Sequence, residues 1–200
     1  MKRRHFLTLP LAGALRAFPL KFFTEDQAQI VSAATARIFP TDDSGPGATE
    51  AGVTLYIDRQ LAGPYGRDRY RYTKGPFEAG TPEQGYQGEA TPRQIYREGL
   101  KLLSDLPTLS PEQQDQRLRS IEKTYFFSLL RQHTMEGLFS DPMHGGNQDL
   151  TGWKLIGFPG PYMSWANDID KHFGQEFRPK PQSLSQILNR KLTPWEELEP

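Results

Sequence analysis

At three expected helix starts along this 200-residue chain a hydroxyl residue is followed three positions later by glutamine: Thr24 with Gln27, Thr91 with Gln94, and Ser110 with Gln113. The hydroxyl accepts a hydrogen bond from the amide of the third helical residue, and the glutamine reaches back to the amide of the first. Each pair therefore starts an α-helix. Pro92 and Pro111 strengthen two of them, because proline at the first helical position fixes φ where no donor is needed. Glu25 and Asp26 favour the first helix through its dipole, Ile30, Val31, Ala34 and Ile38 share one face, and Pro40 stops it. Val53, Tyr56, Ile57 and Leu61 define a second helix ending near Gly63. Ile95, Gly99, Leu100 and Leu103 line the third, and Leu118, Ile121 and Tyr125 the fourth. Phe126, Leu129, Leu130 and His133 continue that stripe to Phe139, with a break expected around Lys123-Thr124. One more turn is expected at Leu184 to Leu188, and no stretch keeps a convincing period of two. These signals predict an all-α fold, an irregular small helical bundle with long Gly/Pro/aromatic-rich loops, for which 18 glycines and 17 prolines supply the loops.

Several function classes fall away. Lys plus Arg and Asp plus Glu each number 24, so no net field draws nucleic acid or an anionic surface to the molecule as a whole. The lack of cysteine removes disulfides, thiolate nucleophiles, Cys-ligated iron–sulfur clusters and Cys-linked haem. No G-x-G-x-x-G, P-loop or H-E-x-x-H occurs.

The ends and one internal stretch stand apart from the helices. MKRRHFLTLPLAGAL sets Arg3 and Arg4 before an apolar run that is too short to span a bilayer. This resembles a twin-arginine export signal over residues 1–20, atypical because Arg16 interrupts it, and uncleaved or shortened. The helical domain is expected over 22–176, followed by a proline-rich extension over 177–200. Between Gly63 and Ala90 periodicity vanishes, although Tyr65, Tyr70, Tyr72 and Phe77 fall there among three arginines. Such a loop either folds back over its own core or wraps a partner, for which its composition is suited.

Residues 133–160, HTMEGLFSDPMHGGNQDLTGWKLIGFPG, carry the chemistry-bearing side chains. His133, Glu136, Asp141 and His144 are candidate ligands for zinc or iron, and a His–carboxylate base pair is also available. Their spacing is not that of a compact metal motif. Against this stands a polar-locked structural loop of His133, Glu136, Gly137, Asp141, Gly145, Gly146 and Asn147, whose side chains satisfy backbone groups of a tight turn. On that reading Trp153, Phe158, Pro159 and Trp165 form an exposed docking surface beyond it.

The segments HTMEGLFSDPMHGGN and GWKLIGFPGP, together with FFTEDQAQIVSAATARIFPTDDSGPGATEAGVTLYIDRQL, resemble the gluconate 2-dehydrogenase subunit 3 family over about residues 22 to 165. The resemblance implies the small subunit of an FAD-dependent sugar or polyol dehydrogenase, with no catalytic residue and no cofactor or metal of its own. FAD and substrate would be held by a flavoprotein large subunit, and a cytochrome c subunit would accept the electrons. The small subunit would assist folding of the flavoprotein and carry it through the twin-arginine pathway to the periplasm, where any membrane association is indirect.

Overall fold

The computed structural model describes residues 19–72, 74–162, 164–190 and 192, and the export arginines Arg3 and Arg4 lie outside them. The architecture is all-α, with no strand among the described residues and a single isolated bridge between Asp42 and Gly45. Helix α1 spans Glu25–Ile38, α2 Val53–Ala62, α3 Pro92–Lys101, α4 Pro111–Ser120 and α5 Tyr125–Phe139. Three short helices follow: α6 Thr151–Ile156, α7 Ala166–Ile169 and α8 Leu184–Ile187. All three expected capping boxes form, and Ser183 with Gln186 makes a fourth at α8. The expected break falls between α4 and α5, where the Thr124 hydroxyl accepts from the Phe127 amide.

Helix α5 is the centre of the bundle, packed against α1, α2, α3 and α6. Its buried face presents Phe126, Leu129, Leu130, His133, Thr134, Gly137 and Leu138. Gly137 lets α2 approach closely, because a Cβ there would press on the Tyr56 ring. From α1 come Ala28, Val31, Ala34 and Thr35, from α2 Val53, Ile57 and Leu61, and from α3 Tyr96 and Leu100, all sealed from solvent. Helix α4 lies outside, clasped to α1 by the Arg37 guanidinium, which donates to both Asp115 oxygens at 2.7 and 2.8 Å.

Two expectations about the core need correcting. Tyr125, expected on the apolar stripe, is 44% exposed, because the chain turns at Thr124 and brings Phe126 inward instead. In α3 the buried aromatic is Tyr96, and Ile95 is only half-buried.

Candidate functional site

The polar groups of residues 133–160 divide into two clusters, and the four metal candidates are not brought together. Among the described residues no group of three or more His, Asp or Glu side chains is placed to hold a metal ion.

The first cluster is inside the bundle. His133, 1% exposed, lies between two tyrosine hydroxyls: Tyr96 at 2.8 Å from Nδ1 and Tyr65 at 2.8 Å from Nε2. One turn further along α5, Glu136 accepts from the Tyr56 hydroxyl at 3.0 Å and from the Gln132 amide at 2.7 Å. Burial pushes the His133 pKa down to about 4, and the nearby Glu136 carboxylate opposes that only in part. Burial first, and then the same carboxylate among other groups, holds the Tyr56 and Tyr65 hydroxyls protonated far above the ordinary tyrosine range. The histidine and glutamate were expected to satisfy the turn that follows α5. They instead tie α5 to α2, to α3 and to the start of the aromatic arm, because one helical turn of α5 aims both side chains at tyrosines from other elements.

The second cluster is the turn itself, which behaves as a lock. The fully buried Asn147 donates its side-chain amide to the Ser140 carbonyl at 2.8 Å and accepts from the Gly152 amide at 2.8 Å. Its backbone amide donates to the Gly137 carbonyl at 2.7 Å, so one residue joins the end of α5 to the start of α6. Asn147, Asp149 and Leu150 all have positive φ (46°, 54° and 57°), a conformation costly for a leucine and held here by packing. Asp141 accepts from the Met143 amide at 3.0 Å and from the Leu184 amide at 2.8 Å, which pins α8 against the turn. His144 lies in the 3-10 turn Pro142–His144, with its amide bonded to the Asp141 carbonyl. Gly145 adopts φ 93° and Gly146 packs directly on the Gly137 carbonyl.

The expected interface residues separate by burial. Tyr70 and Tyr72 are 81% and 78% exposed, on an arm tethered at its two ends. At one end the Arg93 amide donates to Gly66; at the other Arg71 donates to the Gly88 carbonyl, and Tyr86 stacks on Tyr125. Tyr65 and Phe77 are more covered, and Tyr65 owes its position to His133. Phe158 and Trp165 reach solvent, Pro159 is half-buried, and Trp165 stacks on Tyr162. Trp153 does not belong with them. It is 3% exposed, and its indole N–H donates to the Phe139 carbonyl at 2.7 Å, so it closes the core under α6.

One structural anchor escaped the sequence reading. Asp58, wholly buried in α2, accepts the amides of Lys21, Phe22 and Phe23 at 2.8, 2.9 and 2.9 Å. It fixes the chain just before α1. Beside it Arg93 donates to the Leu61 and Ala62 carbonyls, both at 2.6 Å, and Arg93 and Arg97 both stand 5.5 Å from the Phe22 ring centre. Among these only the Asp58 carboxylate has a sequence signal, an acid on the apolar side of an amphipathic helix.

Fold and clusters define a small all-α protein whose buried polar groups join one central helix to its neighbours. The profile described as gluconate 2-dehydrogenase subunit 3 matches residues 25–160, more than half of the chain, and the chain belongs to that family. By its name the family is a subunit of an oxidoreductase complex. No curated protein and no solved structure matches the chain.

Proposed function

We propose that this chain is the non-catalytic small subunit of a periplasmic, FAD-dependent sugar or polyol dehydrogenase. It binds the flavoprotein large subunit, assists its folding and carries it through the twin-arginine pathway. A cytochrome c subunit takes the electrons, and FAD resides in the large subunit. The observation that carries this reading is the use made of the chemistry-bearing side chains. His133, Glu136, Asp141 and Asn147 each hydrogen-bond to groups of this same chain, while the arm holds Tyr70 and Tyr72 out in solvent. Exposed aromatics on a tethered loop suit a protein interface. The paired arginines Arg3 and Arg4 and the family membership support export as part of a complex. Among the described residues no helix is long and apolar enough to cross a membrane.

Co-expression with a candidate flavoprotein large subunit tests the proposal, with and without residues 1–20, scoring copurification and periplasmic dehydrogenase activity. Copurification and export that need the full chain support it. A flavoprotein that folds, is exported and turns over alone overturns it.

A further inference from the structure

The face around Phe22 is basic beyond what the neutral chain suggests. Lys21, Arg67 and Arg97 are exposed there and Arg93 is half-buried. Arg93 and Arg97 each stand 5.5 Å from the centre of the Phe22 ring, and Arg67 donates to the same Ala62 carbonyl that Arg93 uses. Three carboxylates near in sequence are committed elsewhere, while Glu25, Asp26 and Glu89 are exposed. Asp68 pairs with Arg71, Glu98 with Lys101, and Asp58 is sealed beneath the three amides it accepts. The carbonyls ending α2 take up part of the charge of Arg67 and Arg93, but the two guanidinium groups beside Arg93 still make its protonated form less favourable, after burial itself.

Position gives this charge a direction. Asp58 clamps residues 21–23, so residues 1–20 join the chain beside the basic face. That segment holds Lys2, Arg3, Arg4 and Arg16, and no acid occurs before Glu25. Its apolar run ends at Leu15, six residues from Lys21, a reach of at most about 20 Å for an extended chain. When the apolar run enters a bilayer, the face bearing Lys21, Arg67, Arg93 and Arg97 must lie close to the lipid headgroups.

We infer that this face is a docking surface for anionic phospholipid headgroups, with Arg67 and Arg97 as its exposed contacts and Asp58 as the clamp that orients it. The orientation rests on the export reading of residues 1–20; the affinity of the face for lipid does not. Basic side chains at such a surface act additively and are screened by salt.

The test is cosedimentation of the full chain with vesicles of phosphatidylglycerol mixed with phosphatidylcholine, against phosphatidylcholine alone. Arg67→Glu with Arg97→Glu should weaken binding to the anionic vesicles by at least about tenfold. The charge-matched control Arg131→Glu with Lys154→Glu should change it little. Arg97→Gln alone, which leaves every hydrogen bond named here intact, should give a smaller loss in the same direction and serves if the double variant melts early. Equal binding by the patch variants and wild type overturns the inference, as does equal binding of wild type to both vesicle types. A patch variant that loses the flavoprotein but keeps vesicle binding makes the face a protein interface instead. In parallel, Arg3→Lys with Arg4→Lys tests export by itself: undiminished export would remove the export reading while leaving a measured lipid affinity in place.

Discussion

The Tyr96 hydroxyl stands 2.8 Å from Nδ1 of His133, and both side chains are closed to solvent. A neutral imidazole has one donor and one acceptor, and a buried hydroxyl must place its proton. Tyr96 has no other hydrogen-bond partner among the described residues, so it donates to Nδ1, and we assign the remaining proton of His133 to Nε2, facing Tyr65. A protonated His133 would turn Nδ1 into a donor and leave the buried Tyr96 proton without an acceptor. That geometry agrees with a folded-state pKa lowered to about 4 from the ordinary 6.5. Between those values the unfolded chain binds the proton and the folded one does not, so stability falls as pH drops from 6.5 to 4 and is level in this group below that. The loss is on the order of 3 kcal/mol. Urea unfolding of wild type and His133→Gln at pH 7 and pH 4.5 measures it: the variant should be less stable at pH 7 and less sensitive to acid. Equal acid sensitivity in the two proteins would place the titration elsewhere.

Asp58→Ala should cost about 3–5 kcal/mol, since it leaves three amides without their charged acceptor. Asp58→Asn keeps the shape but offers only one acceptor oxygen, so its cost should be smaller. Amide hydrogen exchange gives the sharper readout, because Lys21, Phe22 and Phe23 should lose protection in both variants before α1 does. Unchanged protection at these three amides would mean that something other than the carboxylate holds them.

What the sequence made legible is local. The capping boxes at Thr24, Thr91 and Ser110 form because hydroxyl, glutamine and helix start all lie within four residues, where geometry follows from spacing. The same holds for the break at Thr124 and the turn at Leu184. The His133 cluster was not legible in that way: its partners Tyr65 and Tyr96 lie 68 and 37 residues away, and Tyr56 is 80 from Glu136. Residue types told that these groups are chemically able, not whom they meet. Helix α6 was missed for another reason. It is entered through left-handed residues with no side-chain cap, and its flanking glycines and Pro159 read as loop, which made the buried Trp153 look like an exposed anchor.

Glycine substitutions at the two ends of α6 should separate space from backbone conformation. A Cβ at Gly152 would collide with the Leu138 carbonyl oxygen, a backbone atom that cannot rotate aside. Gly152→Ala should therefore cost about 3 kcal/mol or more and disturb the Asn147 lock. Gly157, with φ 68° and nothing near its missing Cβ, presents only the penalty of a left-handed residue, about 1–2 kcal/mol. Thermal melting of the two variants checks the order, and a Gly157→Ala variant less stable than Gly152→Ala would contradict the close packing at the α5–α6 junction.

Burial also divides the aromatic residues by what their loss should do. Trp153 fills the space under α6, meets Phe158 edge-on with ring centres 5.1 Å apart, and bonds to the Phe139 carbonyl. Trp153→Ala should destabilise the chain by about 3–5 kcal/mol. Any loss of partner association in that variant would then follow the loss of fold. Tyr70 and Tyr72 stand free of the core, so replacing both with alanine should move the melting temperature little. If the arm docks onto the flavoprotein, the same pair should weaken copurification by about tenfold or more, the scale of a small aromatic hot spot. The two measurements together decide the role of the arm. An unchanged pull-down with an unchanged melting temperature would assign docking to Phe158 and Trp165 instead, and a lowered melting temperature would show that the arm braces the bundle from which it springs.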